Sequence, residues 1–390
     1  MATVYKNFLS SDVVNTRTLL HEAIPITGSI ISGTYGPDDV DIGSEPHIKT
    51  YSHGMFESIY DYPYLSSSAN HIFDITVGYS ARGALSSSAN QQNAKKISIY
   101  NQMAQVLAGY DHTGSIREFD ADGDLTAGQK MQECIFLNFS RLLTKDEIKK
   151  GTFDLKLGVA ARYKTDTSVQ NAQLRITDAS GSDKYFVNSP AGEYGVLYAT
   201  GAVGLNLFGA ASTDPGGQPV GLLYYQAGIA VLSGSVFNTG TFGGILGVHD
   251  GSGIGAEPQL DVYSNAGGEE TGPLGHGFHT VLTGGTVANM ADGIRNRIFD
   301  LSFDNTTELN SAIHFCRINH NEYNYSSNPT YLTGSKIRVK GSNRKNLPVS
   351  YITSIGLYSA DRELLAVAKL SEPLKKDPTS ELTLKVRLDY

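Results

Sequence analysis

Apolar and polar residues alternate most cleanly at the end of the chain, where Leu382, Leu384, Val386, Leu388 and Tyr390 take every second position of LTLKVRLDY. A period of two places such side chains on one face of a strand. KIRVK, VSYITSIGLYS and ELLAVAKLS carry related strand signatures upstream, and Ser359-Ala360-Asp361-Arg362 supplies a turn between the last two. Residues 297–390 are therefore expected to form an antiparallel β unit. Chain ends fray unless they are tied down, so a terminus patterned this fully must be paired, in its own sheet or against a neighbouring subunit.

The first 160 residues mix periods, and an α+β region is expected over 1–160. Ser10 or Ser11 is placed to cap a short helix carrying Val13, Val14, Leu19 and Leu20 that stops before Pro25. HIFDITVGYS predicts a strand through Ile72, Ile75 and Val77. QQNAKKISIYNQMAQVLAG sets Ile99, Met103, Val106 and Leu107 at helical spacing and closes at Gly109. The hexapeptide LSSSAN at 65–70 and 85–90 precedes one strand and one helix, which makes it a polar connector used twice. Thr144-Lys145-Asp146-Glu147 has the form of a capping box for a further short helix. TFDLKLGV then alternates Phe153, Leu155, Leu157 and Val159 as a half-buried strand.

Over 161–296 helical periodicity disappears and glycine dominates, which predicts a Gly-rich β module. GVLYATGAVGL from Gly195 and GLLYYQAGIAVL from Gly221 each read strand, glycine bend, strand. The flanking FDLKLGV (153–159) and FDLSFDN (299–305) are alike and are candidates for neighbouring strands, with the Gly-rich stretch inserted between them. The chain as a whole reads as mainly β, built of antiparallel sheets in sandwich-like domains, with a smaller α+β N-terminal part.

Composition sharpens this picture. Among 390 residues there are 42 Gly, 22 Tyr and no Trp, a mixture suited to short strands joined by tight turns. A net charge of −8 argues against nucleic acid or an anionic membrane as partner, since both demand dense Lys and Arg. No apolar run approaches the ~18 residues that span a bilayer. The N-terminus MATVYKNFLSSDVVNTRTLL lacks the basic start and apolar run of a secretion signal, and Cys134 and Cys316 do not suggest a disulfide framework. A soluble protein made in a reducing cytoplasm is expected.

Four stretches carry candidate chemistry, each with a plainer structural account. His314, Cys316, His320 and Glu322 share parity, and their side chains suit zinc, yet on a straight strand the two histidines stand about 20 Å apart. Asp120, Asp122 and Asp124 around Gly123 resemble the front of a calcium loop, but Gln129 stands where a bidentate carboxylate is required, and an acidic turn explains the aspartates. Gly251-Ser-Gly253-Ile-Gly255-Ala256 is a glycine loop: Glu257-Pro258 follows where the dinucleotide fingerprint needs a helix. His276 and His279 in GHGFHT have no nucleophile context, because GYSARG is one residue too long for an elbow. No cofactor and no catalytic residue is expected. Tyr323, Tyr325 and Tyr331 in NEYNYSSNPTYL suit a wet protein–protein contact, and equally suit pinning a loop onto the C-terminal sheet.

RINHNEYNYSSNPTYL, YITSIGLYSADRELLAVAKLSEPLKK and LKVRLDY resemble the C-terminal portion of structural proteins of contractile-tailed bacteriophages of cyanobacteria and other marine bacteria. YSHGMFESIYDYPYLSSSANHIFDITVGYS and IFLNFSRLLTKDEIKKGTF are similar to segments of the same kind of protein; together these stretches cover about half the chain. The resemblance implies a non-enzymatic virion component of the tail, baseplate or neck, assembled in the host cytoplasm. Its implied partners are other virion structural proteins and further copies of itself in a symmetric assembly. A receptor- or carbohydrate-binding β module of the tail is the rival expectation, weakened by the absence of Trp as a sugar-stacking platform. The interface residues expected are Tyr323, Tyr325 and Tyr331 with Leu382, Leu384, Val386, Leu388 and Tyr390.

Overall fold

The structure is a computed structural model and describes residues 5–27, 47–87, 93–123, 130–158, 173–201, 218–237, 282, 285–295, 298–326, 328–329, 332–333, 336–337 and 345–390. The chain divides into a large unit, His21–Thr307, and a small unit made of Met1–Leu20 and Glu308–Tyr390. The described elements are mostly strands. In chain order they are β1 (Val13–Thr27), β2 (Ile48–Thr50), β3 (Glu57–Tyr60), β4 (His71–Tyr79), β5 (Phe119–Asp120), β6 (Lys130–Met131) and β7 (Glu133–Phe139). There follow β8 (Glu147–Ile148), β9 (Asp154–Gly158), β10 (Gln173–Thr177), β11 (Tyr185–Ser189), β12 (Gly192–Gly201), β13 (Gln218–Tyr224) and β14 (Ile229–Ser233). The last are β15 (Ile298–Ile318), β16 (Leu332–Thr333), β17 (Lys336–Ile337), β18 (Ser350–Tyr358), β19 (Leu364–Lys376) and β20 (Leu382–Asp389). Three helices accompany them among the described residues: α1 (Asn93–Leu107), α2 (Arg141–Thr144) and α3 (Val287–Arg295).

In the large unit the strands run in the order β15-β9-β10-β12-β13-β14-β7-β4-β3-β2. Every neighbouring pair along that path is antiparallel. β7 lies in the interior of the sheet because Cys134, Ile135, Phe136 and Leu137 are consecutive and all buried, so both its faces are covered. α1 lies against β4, burying Lys96, Ile99, Tyr100, Ala104 and Leu107 at helical spacing. Gly78 permits that approach: a Cβ there would meet the Lys96 carbonyl at 2.7 Å. The helix ends as its sequence predicts, with Gly109 at φ +79° donating its N–H to the Ala104 carbonyl at 2.9 Å. Val106, expected on the apolar stripe, is instead 61% exposed.

The similar segments on either side of the Gly-rich stretch do pair, with Leu157 opposite Ile298 and Leu155 opposite Leu301. Of the described strands of that stretch, β10, β12, β13 and β14 lie between β9 and β7 in one sheet, and β11 pairs with β12 off that path. GLLYYQAGIAVL forms a hairpin, Tyr224 opposite Ile229, whereas only the first strand of GVLYATGAVGL is described. The expected boundaries at 160/161 and 296/297 fall outside the described residues.

Two local expectations are corrected. After a single 3-10 turn at Ser10–Asp12, residues 13–27 form strand β1 and not a helix. Val13, Val14, Thr16, Thr18, Ile24 and Ile26 are β-branched and favour the extended backbone, and β1 ends the strand order, where Pro25 costs no ladder hydrogen bond. The capping box at Thr144 is also absent. α2 closes there through Lys145 N–H to the Arg141 carbonyl at 2.9 Å, Lys145 takes φ +55°, and Glu147–Ile148 pairs with β15 as β8. Complete burial of Ile148 outweighs the local cap.

In the small unit β20 pairs antiparallel with the second half of β15, from Ser311 opposite Asp389 to Ile318 opposite Leu382. Asn310 and Tyr390 exchange backbone hydrogen bonds, so the terminal strand is fastened within its own chain. β18 and β19 form a ribbon paired only with each other among the described residues. They turn at Ser359–Arg362 as expected, with Arg362 N–H donating to the Ser359 carbonyl and Arg362 at φ +66°. Only Ala312, Leu357 and Val386 are buried apolar side chains of this unit among the described residues, whereas the large unit holds an extensive core.

Candidate functional site

The candidate site is a groove of about 1010 Å³ lined entirely by small-unit residues. One wall is the N-terminal segment 5–12 with Phe315–Ile318 of β15, and the other is the whole of β18 from Ser350 to Tyr358. Tyr5, Tyr323, Tyr325, Tyr351 and Tyr358 give it an aromatic surface, and Arg317 and Arg362 bring guanidinium groups.

Ion pairs and ring contacts hold the N-terminal segment in place. Asp12, 4% exposed, accepts the Leu9 N–H at 3.0 Å and pairs with Arg317 Nε at 2.6 Å. Lys6 Nζ lies 2.5 Å from Glu322 Oε2. That contact, with the Asn319 N–H, holds the Glu322 carboxyl below its ordinary range. Tyr5 meets Tyr358 edge to face at 5.0 Å, and the Arg362 guanidinium sits 5.6 Å from the Tyr5 ring centre.

The tyrosine-rich turn after β15 is closed by a residue that sequence reasoning missed. Lys376 is fully buried, and its ammonium donates to the His320 carbonyl at 3.1 Å, Asn324 Oδ1 at 2.6 Å and the Asp377 carbonyl at 2.8 Å. Three donors meet three acceptors, which is what makes a buried ammonium tolerable. In the sequence SEPLKKDP nothing sets Lys376 apart from Lys375 beside it. Ser350 donates its hydroxyl to the Tyr323 carbonyl, and Tyr323 adopts φ +52° to turn the chain. Tyr323 and Tyr325 stay 41% and 44% exposed, and Tyr331 lies outside the described residues. On β20, Val386 is buried and Leu382, Leu384 and Leu388 are half-buried; Tyr390, the residue after the strand, is exposed.

The candidate metal ligands separate in space. His314 and Cys316 stand on β15 opposite Val386 and Leu384, and the His314 ring lies 5.3 Å from Phe8. His320 has left the strand and approaches Glu381 at 3.3 Å. Burial, then the nearby Asp12, pushes the Cys316 thiol up. Asp120 is buried on β5 in an ion pair with Lys130, and Asp122 is exposed. Gly123 takes φ +76° in a tight turn back to the Asp120 carbonyl, while Asp124 lies outside the described residues. Among the described residues no three His, Cys, Asp or Glu side chains converge as a metal site. The glycine loop at 251–256 and His276 and His279 also lie outside them. No described helix is long and apolar enough to cross a membrane. No family model, no curated protein and no solved structure matches the chain.

Proposed function

We propose that this chain is a structural component of a tailed-phage virion, in the tail, baseplate or neck. It works by fitting β surfaces and aromatic side chains against other virion proteins and makes or breaks no bonds in a substrate. In this reading it is assembled in the host cytoplasm, is present as repeated copies in a symmetric particle, and binds neither nucleic acid nor membrane. One observation carries the reading. The small unit buries three apolar side chains among its described residues, yet exposes sixteen of the twenty-four large hydrophobic side chains that stand exposed on the described chain. A unit with so little core and so much apolar surface is completed by a neighbour.

The β18–β19 ribbon concentrates that surface, with Tyr351 54%, Leu364 53%, Leu365 69% and Val367 55% exposed. Two strands paired only with each other are marginal in water, and they gain most from a partner. Leu365→Glu with Val367→Glu in the full-length chain should leave the large unit folded and abolish incorporation into particles, scored by the composition of purified virions. Normal incorporation would overturn the reading. Removing β20 is a poorer test, because β20 is half of the pairing that holds the second half of β15.

The rival reading, a receptor- or carbohydrate-binding surface, is supported by one exposed cluster. Tyr62 and Leu65 are 59% and 86% exposed beside the Tyr60–Tyr64 ring pair at 6.3 Å, with Asp61 and Asn70 hydrogen-bonded at its edge. A glycan array, run with and without calcium, separates the two readings: saturable glycan binding lost in Tyr62→Ala favours the rival.

A further inference from the structure

The groove is lined by consecutive residues, Ser350 through Ala360, and not by alternate ones. Side chains of a strand alternate between faces, so a cavity bordered by every residue runs along the backbone edge. That edge belongs to β18, whose only strand partner among the described residues is β19 on its other side. An unpaired edge beside an aromatic groove is the geometry that accepts one extended segment as an added strand.

Charge selects the segment. The groove walls carry Lys6, Arg317 and Arg362; Lys6 is paired with Glu322 and Arg317 with Asp12, which leaves the Arg362 guanidinium, over the Tyr5 ring, as the groove cation that meets an incoming carboxylate. The sequence is divided in the same sense. Residues 1–20 and 308–390 hold fourteen Lys and Arg against nine Asp and Glu, a net of +5, whereas 21–307 hold seventeen against thirty, a net of −13. The two values sum to the −8 of the whole chain. Large units therefore repel one another, while the small unit of one copy attracts the large unit of the next.

We propose that the groove receives an extended acidic segment from the large unit of a second copy of this chain, added as a third strand on β18. The inference rests on the assembly reading above and names its contact. Such a contact joins two different surfaces, so it propagates head to tail into a ring or an open filament.

The test is sedimentation of the full-length protein over a concentration series at low and at molar salt, with two variants. Thr353 lines the groove at the register shift between Ile352 and Ser354, where it has no partner on β19. Thr353→Pro thus removes an N–H on the groove side at a position outside the paired register of the ribbon. Arg362→Glu reverses a groove charge. Wild type should associate at low salt and dissociate in molar salt, where the screening length is about 3 Å. Each variant should weaken self-association about tenfold or more, with unchanged circular dichroism and thermal midpoint. Should Thr353→Pro lose that spectrum, Arg362→Glu alone decides. A wild type that is monomeric at low salt, oligomers indifferent to salt, or oligomers undiminished in the folded variants would each overturn the proposal. A wild type that is monomeric in solution yet enters particles would overturn this contact and leave the assembly reading standing.

Discussion

Lys96 carries its charge into the interior of the large unit, where its ammonium donates to the carbonyls of Leu282 and, at 2.8 Å, Gly285. Lys96→Met removes that donor from two carbonyls and should cost about 2 kcal/mol in urea unfolding. Burial lowers the lysine from 10.5 to about 8. Between those two pH values the unfolded chain binds more protons than the folded one, so this residue's contribution to stability rises with pH. The cost of burying its charge is fully present below pH 8. The stability difference between wild type and Lys96→Met should therefore grow in favour of wild type from pH 8 toward pH 10. Gly195 offers a test that does not depend on charge. A Cβ there would stand 2.1 Å from the hydroxyl of Tyr225, which is fully buried and donates to Asp178 Oδ2 at 3.1 Å. Gly195→Ala should cost about 3 kcal/mol or more, since the ring has no room to retreat.

β7 and β18 are both rich in apolar residues, yet they meet opposite fates. β7 buries four consecutive side chains, whereas β18 pairs on one edge only among the described residues and leaves much of both faces open. Hydrogen exchange should accordingly protect the amides of β4, β7, β13 and β14 longest and release those of β18 and β19 first. Period-two alternation made β9, β19 and β20 legible, and the helical stripe with its glycine stop made α1 legible, because in each the local pattern and the burial agree. β1 and β8 were not legible. In both, a capping signature pointed to a helix while pairing with β15 decided the outcome, and a partner more than a hundred and fifty residues away leaves no mark in a local window. The groove was half legible. Tyr323 and Tyr325 stood out, whereas Tyr5, Tyr351 and Tyr358 did not, and the roles of Lys376, Arg362 and the groove side of β18 depend on tertiary neighbours that no residue pattern states.

At the scale of the whole chain, a modest net charge conceals two strongly unequal parts. Composition alone suggests weak electrostatics, whereas the division into units turns the same residues into an attraction between unlike ends of successive copies. Attachment through a third strand on β18 would also supply the small unit with the apolar cover it lacks, so assembly and folding of that unit should strengthen together. The two thiols are shared out in the same way, Cys134 at the centre of the large unit's sheet and Cys316 in the groove wall. Burial pushes Cys134 far up and Cys316 less deeply so. A colorimetric thiol reagent should therefore release its first equivalent from Cys316 and its second only when the large unit opens. Each molecule thus carries a pair of chemical clocks, and the slowing of the faster one would mark the moment a neighbour arrives.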